Sequence, residues 1–240
     1  MKHTLHLILT IIFIGLIFES QAQEPNRSHS SGVGRRYSLG FCMGSGADWI
    51  LTKKDEFKNA GPVASLRYGI PIDINFTTAT NYYFTTGLLF QHLGGKQQFT
   101  MTDTARALYD IENNVRSYRS IFITIPVGIK LKTPDFSNFV FAVNFGLQQS
   151  FAISSKATDK FKLEDGTKQT IKRNDFSKST FIFREAAYIG VGLEYVIKDD
   201  FRVHLFVNYA YTFTNYFKKS TEWGEKGNLN SLELVLGCNF

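Results

Sequence analysis

Arg67, Lys130, Arg184, Glu194, Arg202, His204 and Glu233 each fall on the polar side of a stretch in which bulky apolar and small polar residues alternate. Charges on one buried face have two uses. They neutralise one another as a structural network, or they line a path for ions or protons. A turn centred on Asp199 sets Glu194 roughly opposite His204, with Arg202 on the diagonal, within cross-strand reach. Arg184 and Glu233 fall toward the other end and are expected to meet across the interior. A plug of ion pairs is the expected use, and conduction the alternative.

Other chemistry finds little material. His3 and His6 stand in an N-terminal apolar stretch and His29 in a polar tail, which leaves His92, expected at a strand end, and His204 on the polar face. No two of them have metal-ligand spacing. His92, near Gly94-Gly95-Lys96 and ahead of Asp103 and Asp110, is the nearest approach to a hydrolase set. No catalytic, cofactor or metal site is expected, and the chain is not read as an enzyme. Cys42 and Cys238 fall on opposite sides of the alternation, so a disulfide is not expected.

The elements that position these groups are about eight segments of period-two patterning. They set Tyr37, Leu39, Phe41 and Met43 against Cys42 and Gly44, then Leu66, Tyr68, Ile70, Ile72 and Ile74 against Arg67, Gly69 and Asp73. A less regular third carries Phe84, Leu88 and Phe90. The fourth runs Ile121, Ile123, Ile125, Val127, Ile129 and Leu131, and the fifth Phe139, Phe141, Val143, Phe145 and Leu147. The sixth includes Ile189, Val191, Leu193 and Tyr195, and the seventh Val203 to Phe213. The last alternates Leu232, Leu234, Leu236, Cys238 and Phe240 with Ser231, Glu233, Val235, Gly237 and Asn239.

Long connections follow the odd segments (46–61, 94–116, 154–178, 216–228) and short ones the even segments (75–81, 133–137, 198–200). That is the plan of an outer-membrane barrel whose strands need 9–11 residues to cross. Lys2, the apolar run Leu5–Phe18 and Ser20-Gln21-Ala22 read as a cleaved signal peptide, too short to span. Residues 1–22 are thus the signal, 23–35 a flexible periplasmic tail, and 36–240 the barrel. The fold class is all-β: an eight-stranded antiparallel up-and-down transmembrane β-barrel of the OmpA/OmpX kind.

A soluble barrel would turn its apolar face inward. Here the polar face carries mostly Gly, Ser, Thr, Ala and Asn, suited to a crowded interior, while Tyr and Phe cluster near strand ends like a membrane girdle. The apolar face is therefore expected to meet lipid. The location is a Gram-negative outer membrane, with long loops extracellular and termini periplasmic. The formal charge of +6 then favours anionic lipid or lipopolysaccharide over nucleic acid as counter-charge. Leu232, Leu234, Leu236 and Phe240 are expected to be read by the barrel-assembly machinery. Asp103-Thr104-Ala105 is similar to a bacterial O-glycosylation acceptor.

Phe122-Ile-Thr-Ile-Pro126-Val-Gly-Ile-Lys130 resembles the Ile-Pro-x-x-x-Lys strand of PorT-like outer membrane β-barrel proteins of Bacteroidetes. Phe145-Gly146-Leu147, Gly190-Val-Gly192-Leu-Glu194-Tyr195 and Leu234-Val-Leu236-Gly237 with Phe240 fit the same pattern, and Gln21-Ala22-Gln23 looks like a signal end common in that group. The resemblance implies a barrel and transfers no catalytic set. Through PorT it implies type IX protein secretion as one possible task. The expected function is a structural or accessory interaction role in the envelope, without cofactor. The alternatives are a secretion accessory or a small channel, and envelope or secretion proteins are the expected partners.

Overall fold

The computed structural model describes residues 37–52, 57–77, 81–99, 111–134, 136–163, 166–173, 175–198, 201–218 and 227–240. The signal and tail, Asp103, Asp110 and the Asp103-Thr104-Ala105 site lie outside the described residues.

Ten strands follow one another: β1 (Tyr37–Thr52), β2 (Phe57–Asn59), β3 (Val63–Asn75), β4 (Tyr82–Phe99), β5 (Ile111–Lys132), β6 (Phe139–Leu163), β7 (Lys168–Arg173), β8 (Phe183–Lys198), β9 (Phe201–Thr212) and β10 (Gly227–Asn239). Eight of them close a ring in the order β1, β3, β4, β5, β6, β8, β9, β10, every pair antiparallel. The remaining two are short additions, β2 against β4 and β7 against β6. β1 and β10 form the closing seam, with Phe41 opposite Cys238 and Thr52 opposite Gly227. Leu39 and Phe240 extend it by exchanging two backbone hydrogen bonds, 2.8 and 3.1 Å. Closure leaves the ring without a free edge.

The bulky residues of the alternation face outward. Phe41 and Met43 on β1, Phe141 on β6, Val191 on β8 and Leu234 on β10 are among a continuous belt of half-exposed apolar side chains around the ring. A water-solvated surface rarely carries so extensive an apolar patch. Hydrocarbon is the solvent in which it is favourable, and a closed ring is one of the two structures able to satisfy its backbone there. Cys42 points inward and Cys238 outward, and both are free thiols.

The strands run well past the expected length. β5 has 22 residues and β6 has 25, so much of the expected connections 94–116 and 154–178 is paired strand, and β1 likewise enters 46–61. The physical reason lies in the alternation itself. Below Ile121 and Ile153 the outward residues are apolar and the inward ones mostly polar or small. Above them the sense reverses: Leu93 and Tyr118 point in, while Arg119, Lys156 and Lys160 point out. The crossover coincides with a β-bulge, where Ile121 pairs with Ser154 and Phe122 with Ala152, leaving Ile153 as the extra residue. Once the outer face meets water, the apolar face changes sides and a lipid-facing pattern stops being recognisable.

Candidate functional site in the barrel interior

The interior is filled by three layers of side chains. The layer nearest the short turns is ionic. Asp73 accepts from Thr85 Oγ1 (2.7 Å) and from Lys130 Nζ, and Asn239 Nδ2 reaches the same carboxylate at 3.2 Å. Glu194 lies 2.7 Å from Lys132 Nζ, 3.6 Å from Lys130 Nζ and 3.7 Å from Arg202 Nη1. Lys132 lies over the Tyr83 ring at 4.3 Å, a cation–π contact. The ladder places His204 directly opposite Glu194, with Phe206 edge-on to its ring. Two carboxylates and three cations balance here apart from one positive charge, held where Arg202 keeps 24% of its side chain exposed.

Above it Arg67 Nη2 pairs with Glu233 Oε2 at 2.8 Å, and the Gln91 amide, with its oxygen toward Arg67 (2.6 Å), donates to Thr124 Oγ1 (2.8 Å). Thr124 Oγ1 donates to Ser150 Oγ. Arg184 does not meet Glu233, contrary to expectation. Its guanidinium donates to the Leu229 carbonyl (3.3 Å) and Ser150 Oγ (3.5 Å), because Arg67 on β3 already occupies the glutamate. Tyr188 and Phe206 project into the same space past glycines: a Cβ at Gly128 would collide with the Tyr188 hydroxyl, and one at Gly192 with the Phe206 ring. Among these side chains lies a cavity of about 60 Å³ bordered by Cys42, Lys130, Tyr188, His204 and Phe206.

The third layer closes the loop end. Ile50, Leu93, Tyr118, Phe122, Phe176, Tyr216, Phe217 and Leu229 form one apolar cluster. Tyr118 meets Phe217 at 5.0 Å and Phe176 at 5.3 Å between ring centroids, and Tyr216 meets Phe217 at 4.9 Å. The Tyr216 hydroxyl shares a 2.5 Å hydrogen bond with Ser120 Oγ, and its burial pushes the phenol up to about 12. Arg116 caps the cluster: it pairs doubly with Asp159 and lies over the rings of Phe99 and Phe176.

All seven expected interior charges lie in the two lower layers, with Arg202 at the mouth rather than sealed inside. The interior also holds Asp73, Lys132, Arg116 and Asp159, none of them among the expected charges. Asp73 and Lys132 could have been placed there from the alternation, since Asp73 shares a face with Arg67 and Lys132 follows Lys130 by two. His92 is not at a strand end. It sits within β4, turned outward against the Tyr68 ring at 5.9 Å. Among the described residues no three His, Cys, Asp or Glu side chains are grouped to hold a metal ion. Leu232, Leu234, Leu236 and Phe240 are half-exposed, the three leucines on the outward face of β10.

Residues 21–218 match the family described as outer membrane protein beta-barrel domain. No curated protein sequence matches the chain. Among solved structures, Neisserial surface protein A is 9% identical, with 85% of this chain and 96% of that chain covered and a TM-score of 0.41. OprG of Pseudomonas aeruginosa is 8% identical, with coverages of 86% and 96% and the same score. The outer membrane protease OmpT of Escherichia coli is 9% identical, with coverages of 85% and 94% and a TM-score of 0.38.

Proposed function

The chain belongs to the outer membrane protein beta-barrel domain family, and from that premise we propose that it serves as a non-conducting, non-catalytic accessory protein of the envelope. Residues 1–22 direct export and are removed. The belt seats the barrel in the outer membrane, with the loop end outside the cell and the short turns and both termini in the periplasm. Leu232, Leu234, Leu236 and Phe240 present the strand that the barrel-assembly machinery takes up. The surfaces left for function are the extended hairpins and the turn-side rim, where envelope proteins dock.

The filled interior carries this reading. An eight-stranded ring leaves room for little beyond its own side chains. Here that room is taken by ion pairs below and by the aromatic cluster of Tyr118, Phe176, Tyr216 and Phe217 above. In planar bilayers the folded protein is expected to give no stable unitary openings. Reproducible, sizeable openings would replace this reading with a small channel. Labelling of the purified protein by a serine-directed probe would likewise displace the non-catalytic part.

A second reading, a PorT-like accessory of type IX secretion, draws on the Ile125-Pro126 and Lys130 motif, whose lysine anchors the ionic layer through Asp73. Deleting the gene and finding type IX cargo exported normally would remove it.

A further inference from the structure

We propose that the outer face of β4, β5 and β6, just above the apolar belt, binds the phosphate group of an outer-leaflet lipid through Arg119 and Lys156, with His92 at its edge. The proposal rests on the reading of the belt as membrane-seated. Arg119 and Lys156 stand directly opposite each other in the β5–β6 ladder. Like charges in that relation repel and destabilise the pair unless an anion lies between them. No carboxylate partners either residue among the described residues. The nearest acid on these strands, Asp159, points inward and is taken by Arg116.

Both cations border a pocket of about 200 Å³, together with Ala64, His92, Ile121 and Ser154. That is several times the roughly 30 Å³ share of one water. The bulge at Ile153 makes it, by turning Ser154 and Lys156 away from the register of the strand below. Its floor is apolar, Ile121 on β5 with Ile153 and Phe151 on β6 just below, so an acyl chain descending from the pocket meets the belt. Tyr68 stacks on Phe90 (5.5 Å) and meets His92 at a tilt (5.9 Å), an aromatic step at the same level. A cationic cup over an apolar wall fits an amphiphile with a phosphate head. Lys160 continues the positive surface upward, toward further phosphates or their counter-ions.

The test uses the purified, folded full chain in detergent and native mass spectrometry, with three probes: bisphosphorylated lipid A, the same lipid stripped of phosphate, and inorganic phosphate. R119Q/K156Q is compared with K168Q/K172Q, which removes equal charge from β7. Lipid A binding is expected to fall about tenfold in R119Q/K156Q, the loss of two solvent-screened charged contacts of about threefold each, and to stay within about twofold in K168Q/K172Q. The stripped lipid should bind wild type no better than lipid A binds R119Q/K156Q.

Equal loss in both double variants would mean diffuse surface charge and overturn the site. So would undiminished binding of the stripped lipid. Tight binding of inorganic phosphate with none of lipid A would overturn the lipid as its source. If R119Q/K156Q fails to fold, R119Q alone should show about a threefold loss, and no loss would overturn the site. Heat-dependent gel mobility on the same samples reports barrel folding separately, so a failed lipid site and a failed barrel reading give different results.

Discussion

Arg67 and Glu233 face each other across the interior at 2.8 Å, with 5% and 1% of their side chains exposed. Neither belongs to neighbouring strands: β1 stands between β3 and β10 in the ring. The pair therefore ties the wall across the closing seam, independently of the backbone ladder.

Removing one partner leaves the other charged and buried, which costs roughly 3–5 kcal/mol. Arg67→Met is expected to lower the urea midpoint of the vesicle-inserted barrel accordingly. The double variant R67M/E233L should recover most of the loss, since a buried pair replaced by apolar groups is often near neutral. A double variant no better than the single would mean that the pair acts through something other than its charges.

Gly87 sits at φ +147°, and a Cβ there would collide with the Ile70 carbonyl. Around it the β4–β5 ladder skips from Thr85–Gly128 to Leu89–Thr124, opposite Pro126, which has no N–H to donate. Gly87→Ala is expected to destabilise the barrel by about 1–3 kcal/mol. Amide exchange at Gly87 should be faster than at Thr85 and Leu89 on the same strand, whose rungs to Gly128 and Thr124 are kept. Uniform protection along β4 would show that the missing rung is bridged.

Burial in the apolar cap pushes the Tyr216 phenol from its ordinary value near 10 up to about 12. The folded value is raised, so its contribution to stability is complete below pH 10 and is lost as pH rises through about 12. Tyr118 or Trp fluorescence should report loosening of the loop end in that window, while the outward belt stays inserted. Y216F has no proton to lose, and its cap should hold. A wild-type cap that loosens no more than that of Y216F would refute the assignment.

Deleting Phe240 removes both backbone hydrogen bonds to Leu39 at the end of the β1–β10 seam. Assisted insertion is expected to slow, and the band of altered mobility given by unheated folded barrel should weaken. Insertion at the wild-type rate would leave Phe240 as an ordinary girdle residue.

The membrane-embedded half of the ring was legible because its two faces meet opposite solvents. Tyr68 against Arg67, Ile129 against Lys130 and Leu234 against Glu233 declare their sides by type alone. The partners within the interior were less so. Arg184 lost Glu233 to Arg67 because the choice depends on tilt and stagger around the ring, which no single strand encodes. The aromatic cap was hidden more deeply. Phe176 and Phe217 lie outside the barrel strands and reach Tyr118 only once the chain has folded back over the opening.

The reversal of the alternation at Ile121 and Ile153 gives the barrel a waterline. Pushed inward by one residue pair, it would carry Arg119 and Lys156 into hydrocarbon. Lifted by the same step, it would strand Phe151 and Ile153 in water. Either displacement would raise the free energy, so the barrel is expected to keep one depth, with a restoring force on both sides that holds the long hairpins at one height above the leaflet.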